Sequence, residues 1–199
     1  MSDTYLTIAA PSEGLYKEKG SKFLAFAYPA RTEDEVKDHL TQLRKTYFDA
    51  RHHCYAYILG ADKTKYRAND DGEPNHSAGD PILGQIRSRN LTDVLVVVVR
   101  YFGGIKLGVS GLIQAYRTSA SEALETAQII EKIVTMPFSI QFTYEQMNQV
   151  MKLLKDYDAE IISQDFQLIC QLTAAVRKNH YAELLDKFTF QQIEVLQEL

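Results

Sequence analysis

The sequence predicts an α+β fold in two domains, and three observations lead there. Val94 to Val99 is an unbroken apolar run dominated by β-branched valine, which predicts a strand covered on both faces. Stretches with helical spacing of apolar residues stand on either side of it. Near residue 130 the pattern resets and then reads β-α-β-β-α-β, the order of a ferredoxin-like unit. The expected domains are therefore 1–130 and 131–199.

Within the first domain, Tyr5 to Ala9 and Lys22 to Tyr28 read as strands around a Lys-Glu-Lys-Gly turn. Thr32-Glu33-Asp34-Glu35 is a capping box, and the helix after it sets Val36, Leu40, Leu43 and Tyr47 on one face. His53 to Leu59 alternates as a strand, and residues 60 to 77 are polar enough to read as one long loop. Pro81 suits a first helical turn, with Ile82, Leu83 and Ile86 on the buried side. Ser110 is the expected cap of a helix carrying Leu112, Tyr116, Ala120, Ala123, Leu124 and Ala127.

In the second domain, Phe138, Ile140 and Phe142 alternate. Thr143-Tyr144-Glu145-Gln146 then caps a helix with Met147, Val150, Met151 and Leu154. Ile161 falls in a short strand, and Leu168, Cys170, Leu172, Ala174 and Val176 alternate in a longer one. Asn179 starts a helix with Leu184 and Leu185, and Phe190, Ile193 and Val195 form the closing strand.

The 199 residues carry a formal net charge of −4. The excess acid lies in the second part, with 6 Lys and Arg against 10 Asp and Glu from residue 131 onward. The overall field does not steer polyanions, so contact with nucleic acid needs a local basic patch. Cys54 and Cys170 sit in apolar strand-like runs and are expected to be reduced core residues. No secretory leader is visible, and no apolar run approaches the ~20 residues that span a bilayer. The expected setting is the cytoplasm, away from membranes.

Four constellations stand out. Gly103, Gly104, Gly108 and Gly111 lie between the valine strand and a helix start, where free amides attract anions and glycine lets a phosphate approach. Arg100 and Lys106 can supply countercharge, and Tyr101 and Phe102 can stack bases. The turn is no Walker A loop, since Val109 stands where that motif has Lys. Equally, the aromatics can pack beneath the loop while Arg100 pairs with Asp70, Asp71 or Glu73. Those three carboxylates around Gly72 form an acidic turn that could hold Mg²⁺ or be held by ion pairs to Arg67, Arg100 or Lys106. His52 and His53 point to opposite faces of a strand and do not share a metal, so one is expected at the site surface and the other in packing. No metal site, cofactor or catalytic residue is assigned.

The runs Asp70-Asp71-Gly72-Glu73-Pro74, Gly79-x-Pro81-Ile82-Leu83 and Arg100-Tyr101-Phe102-Gly103-Gly104-Ile105-Lys106-Leu107-Gly108 resemble the IMPACT family, known in bacteria as YigZ. The resemblance reaches through about residue 128. It implies a first domain of the type of the second domain of ribosomal protein S5 and of domain IV of elongation factor G. It implies a ferredoxin-like second domain similar to domain V of that factor. These likenesses imply contact with RNA or the ribosome, and eukaryotic relatives are implicated in control of translation. The sequence departs from the usual pattern at Gln114, where relatives carry Arg or Lys, with Arg117 a nearby cation, and at Asn75-His76, where relatives carry a small pair.

Two readings follow. The first is a non-enzymatic regulator of translation that binds RNA or the ribosome through Arg100, Tyr101, Gly103, Gly104, Lys106, Gly108 and Arg117. The second is an enzyme or small-ligand binder acting on a nucleotide or phosphorylated metabolite, with the acidic turn opposite the same anion-ready backbone.

Overall fold

A computed structural model describes residues 3–196 and divides the chain into two compact units. The first spans Tyr5–Lys132, and the second comprises the chain from Ile133 onward with the residues preceding Tyr5. The mixed α/β, two-unit architecture is the one the sequence predicts.

The first unit opens with strand β1 (Thr4–Ile8), hairpin strands β2 (Ser12–Glu18) and β3 (Ser21–Pro29), and helix α1 (Glu33–Thr46). Strands β4 (His52–Leu59) and β5 (Lys65–Asn69), helix α2 (Gly79–Ser88), strand β6 (Val94–Tyr101), helix α3 (Gly108–Glu125) and strand β7 (Ile129–Ile133) follow. The main sheet has the order β2-β3-β6-β4-β5, and β1 pairs with β7 in a small second sheet. The main sheet's pairings are all antiparallel.

Strand β6 lies at the centre because its valines can be buried on both sides. Val94, Val96 and Val98 join the core under α2 and α3, while Leu95, Val97 and Val99 join the core under α1. Strand β4 divides the same way, with Cys54, Ala56 and Ile58 against α2 and α3 and Tyr55, Tyr57 and Leu59 against α1.

Local chemistry departs from expectation in several places. The Lys-Glu-Lys-Gly turn closes β2 onto β3, with positive φ at Lys19 (47°) and Gly20 (78°), the backbone of a type I′ hairpin turn. Strand β2 went unrecognised because Gly14 and its charged residues mask the alternation. Strand β5 interrupts the expected long loop; it is an edge strand, so its outward residues can be polar. Thr32 accepts the Glu35 amide as a cap, but the Glu35 carboxylate reaches back to the Arg31 amide at 2.6 Å rather than to Thr32. Helix α3 begins at Gly108, so Ser110 lies inside its first turn rather than at its cap.

The second unit runs β8 (Thr135–Phe142), a short 3-10 turn (Tyr144–Gln146), α4 (Met147–Asp156), β9 (Glu160–Phe166), β10 (Cys170–Arg177), α5 (Lys178–Phe190) and β11 (Glu194–Leu196). Its sheet order, β11-β8-β10-β9, is that of a ferredoxin-like βαββαβ fold. Phe138, Ile140, Val150, Leu172, Leu184 and Phe188 fill its core. Asp3 belongs here: its carbonyl accepts the Val134 amide at 2.7 Å and its carboxylate pairs with Arg177. Leu168 and Phe190 sit outside the strands expected for them and are exposed. Cys54 and Cys170 are both free thiols and buried.

Candidate functional site

The site begins as one row across three strands. Phe23 of β3, Arg100 of β6 and His52 of β4 are cross-strand neighbours at one end of the sheet. The period of two puts all three on the side covered by α2 and α3. Tyr116 of α3 packs over this row, its ring 5.2 Å from that of Phe23 in an edge-on geometry.

Arg100 is not a free surface cation. It is 8% exposed, and its Nη1 donates to Glu73 Oε1 at 2.5 Å. Glu73 is equally buried, and the same oxygen accepts the Tyr116 hydroxyl at 2.8 Å. The Cys54 thiol donates to the Asp70 carbonyl at 3.0 Å, and its sulfur lies 3.3 Å from the Tyr116 hydroxyl. Burial pushes the Cys54 thiol up from its ordinary range despite that hydroxyl contact, so it is no thiolate nucleophile. Burial likewise drives the Tyr116 phenol upward, with nearby Cys54 and Glu73 adding to the effect. Tyr116 therefore acts as a neutral donor that helps hold the Glu73 charge.

The acidic turn is spent on architecture. Asp70 accepts the amides of Ala78 and Gly79 at 2.9 and 2.8 Å and that of His76 at 2.9 Å, which makes it the cap of α2. Burial works to raise its pKa, but the Gly79, His76 and Ala78 amides outweigh it and the net shift is downward. Asp71 accepts the His53 amide at 2.7 Å and pairs with Arg44 at 3.2 Å. The partners of these carboxylates are thus Arg44 and Arg100 rather than Arg67 or Lys106. Among the described residues, no group of three or more His, Cys, Asp or Glu stands where it could hold a metal ion.

The two histidines separate as strand geometry requires. His52 donates through Nδ1 to the Asp71 carbonyl at 2.8 Å, and it lines a cleft. His53 is buried, and burial depresses its pKa against the opposing pull of Asp71.

The cleft, about 840 Å³, gathers His52, Glu73, Arg100, Tyr101, Phe102, Lys106 and Gly108, and adds Asp49, Arg51, Val109 and Leu112. Arg51 and Lys106 are exposed and form no salt bridge among the described residues. Tyr101 donates to Asp49 at 2.7 Å, which occupies that acid. Phe102 and Val109 stand exposed in the cleft wall. Helix α3 opens at the cleft with the apolar Leu107 at its cap, which gives its first amides no side-chain hydrogen bond. Arg117 lies instead along a separate groove with His76 and Asp80.

The glycines of the turn do different work. A Cβ at Gly103 would lie 1.9 Å from the Gly20 carbonyl carbon, so this glycine exists for the approach of two backbones, and its amide is taken by Ser21 Oγ. Gly104 and Gly108 have positive φ, 89° and 72°, with open space where a side chain would go. Sequence reasoning missed Arg51 and Asp49, which no motif marks, and read Tyr116 only as a core residue. The Tyr116 hydroxyl on an otherwise apolar helix face was the available signal.

The Impact N-terminal domain matches residues 19–124, more than half of the chain. The chain belongs to the IMPACT family. It is 33% identical over 187 residues to IMPACT family member YigZ of Escherichia coli, covering 93% of this chain and 92% of that one. It is 34% identical over 156 residues to IMPACT family member YvyE of Bacillus subtilis, covering 78% and 72%. A crystal structure of a hypothetical protein superposes with a TM-score of 0.78 at 31% identity, covering 100% of this chain and 99% of that chain. The family match begins at the hairpin turn after β2 and runs to the last turn of α3, and therefore takes in every residue of the cleft. No helix among the described residues is long and apolar enough to cross a membrane.

Proposed function

We propose that this IMPACT family member is a non-enzymatic regulator of translation that acts in the cytoplasm by binding RNA or the ribosome. The first domain, 1–130, carries the binding surface, and the ferredoxin-like domain, 131–199, is a second module. The observation that carries this reading is a cleft in which Glu73 is ion-paired with Arg100 and Asp49 accepts from Tyr101, while Arg51 and Lys106 form no salt bridge among the described residues. Beside them lie an uncapped helix start and an exposed aromatic ring. With Glu73 balanced by Arg100, Arg51 and Lys106 outweigh Asp49, and a positive lining with a ring is the equipment of a phosphate-bearing strand. Arg100, buried against Glu73, supports this surface from beneath.

The test is binding of single-stranded RNA to the full chain. Arg51→Ala with Lys106→Ala should weaken it about tenfold or more at low salt. Unchanged affinity in the double variant would overturn the assignment. A second reading draws on the cleft's size, which lies in the ~300–1,000 Å³ range of small-molecule sites. It predicts stabilisation against heat by a free nucleotide in excess.

A further inference from the structure

Phe102 poses a question that the anion-ready turn leaves open. It is 58% exposed, although a large aromatic ring is ordinarily drawn into a core. Its position is also supported. The Arg100 guanidinium lies over the Phe102 ring at 5.8 Å from the centroid, and over the Phe23 ring at 5.5 Å. Arg100 cannot drift, because it is buried against Glu73, and Phe23 is locked in turn by the edge of Tyr116. A solvent-facing ring thus rests on a cation held by the core. Such a ring is a platform set before any ligand arrives, which lowers the ordering cost of binding.

We infer that the cleft holds one unpaired nucleotide of a single-stranded RNA, with its base stacked on Phe102 and its phosphate between Arg51, Lys106 and the start of α3. This rests on the RNA-binding reading above and names what that surface accepts. The base component follows from the open ring: stacking needs a free π-face, which a base inside a duplex does not offer. The phosphate component follows from two cations without ion pairs beside the uncapped amides of an 18-residue helix. An independent observation supports it. Arg100 lines the same cleft, is 8% exposed, and keeps a buried Nε with no hydrogen-bond partner.

The chain contains no tryptophan, so Phe102→Trp in the full-length protein places a single indole at the platform, a reporter excited selectively at wavelengths its tyrosines do not absorb. Saturable quenching is expected with a single-stranded hexanucleotide, and none with a duplex or with inorganic phosphate. Phe102→Leu keeps apolar bulk but removes the π-face, and should weaken single-strand binding about tenfold. Phe102→Tyr should restore it. The ring is exposed, so these variants should fold as the parent does, with unfolding midpoints as the check. Salt-dependent RNA binding with an unresponsive indole and unaltered affinity in Phe102→Leu would overturn the stacking inference while leaving the RNA reading intact. Absence of RNA binding by the parent protein would overturn both. Equal affinity for duplex would overturn the unpaired base, and a mononucleotide that binds as well as the hexamer would overturn the strand in favour of a small ligand.

Discussion

Glu73 is the residue on which the floor of the cleft depends. It accepts from a buried guanidinium and a buried phenol with one oxygen. Removing one member of a buried ion pair strands the other charge, which typically costs about 3–5 kcal/mol. Glu73→Ala should therefore lower the free energy of urea unfolding by an amount of that order. Adding Arg100→Met should recover part of the loss, because no charge is then left unpaired. Tyr116 contributes at the same point, and its fully buried ring makes the hydroxyl contact unavoidable once the helix is docked. Arg100 was legible in the sequence as a special residue, and its pairing with an upstream acid was one of the two roles open to it. The choice between those roles needed the β3-β6-β4 register, which sets Arg100 beside Phe23 and His52.

At the scale of elements, Asp70 joins the end of β5 to the start of α2 by capping amides across an eight-residue gap. Loss of such a cap typically costs about 0.5–2 kcal/mol, so Asp70→Ala should be destabilised by roughly that amount at neutral pH. The net pKa shift of Asp70 is downward, with the amide contacts outweighing burial. Its contribution is thus fully present above the unfolded value of 3.8 and is lost as pH falls through the lower folded value. The stability gap between parent and variant, followed by urea unfolding, should hold at pH 7 and close on acidification below about 4. The glycine turn teaches a related lesson. Its sequence advertises an anion cradle, yet Gly103 is explained by the close approach of the β2–β3 turn, a contact between segments more than 80 residues apart. No local pattern can reveal such a neighbour.

Over the whole molecule, the net charge of −4 is set against a small local patch. One phosphate held between these two cations predicts a log-log dependence of affinity on salt with a slope of about −0.7, and one phosphate for each cation a slope of about −1.4. A slope several-fold steeper would require many more phosphate contacts than Arg51 and Lys106 provide. Titration of RNA binding across salt concentrations reads this directly.

The fold class, the doubly covered valine strand, the reduced cysteines and the ferredoxin-like order were all determined by the sequence, because apolar periodicity and turn chemistry are local properties. Three strands escaped it: β5 is a polar edge, Gly14 and charged residues mask β2, and β7 is short and lies on the surface. The singling out of Arg100, Glu73 and Lys106, which line one cleft, was likewise within its reach, but not which of them pair with each other. Only the tertiary structure decided that Arg100 lies below the surface while Arg51 and Lys106, beside Phe102 in the cleft, form no salt bridge among the described residues. Burial and partnership depend on which segments meet across the sheet, and that meeting is a property of the folded chain.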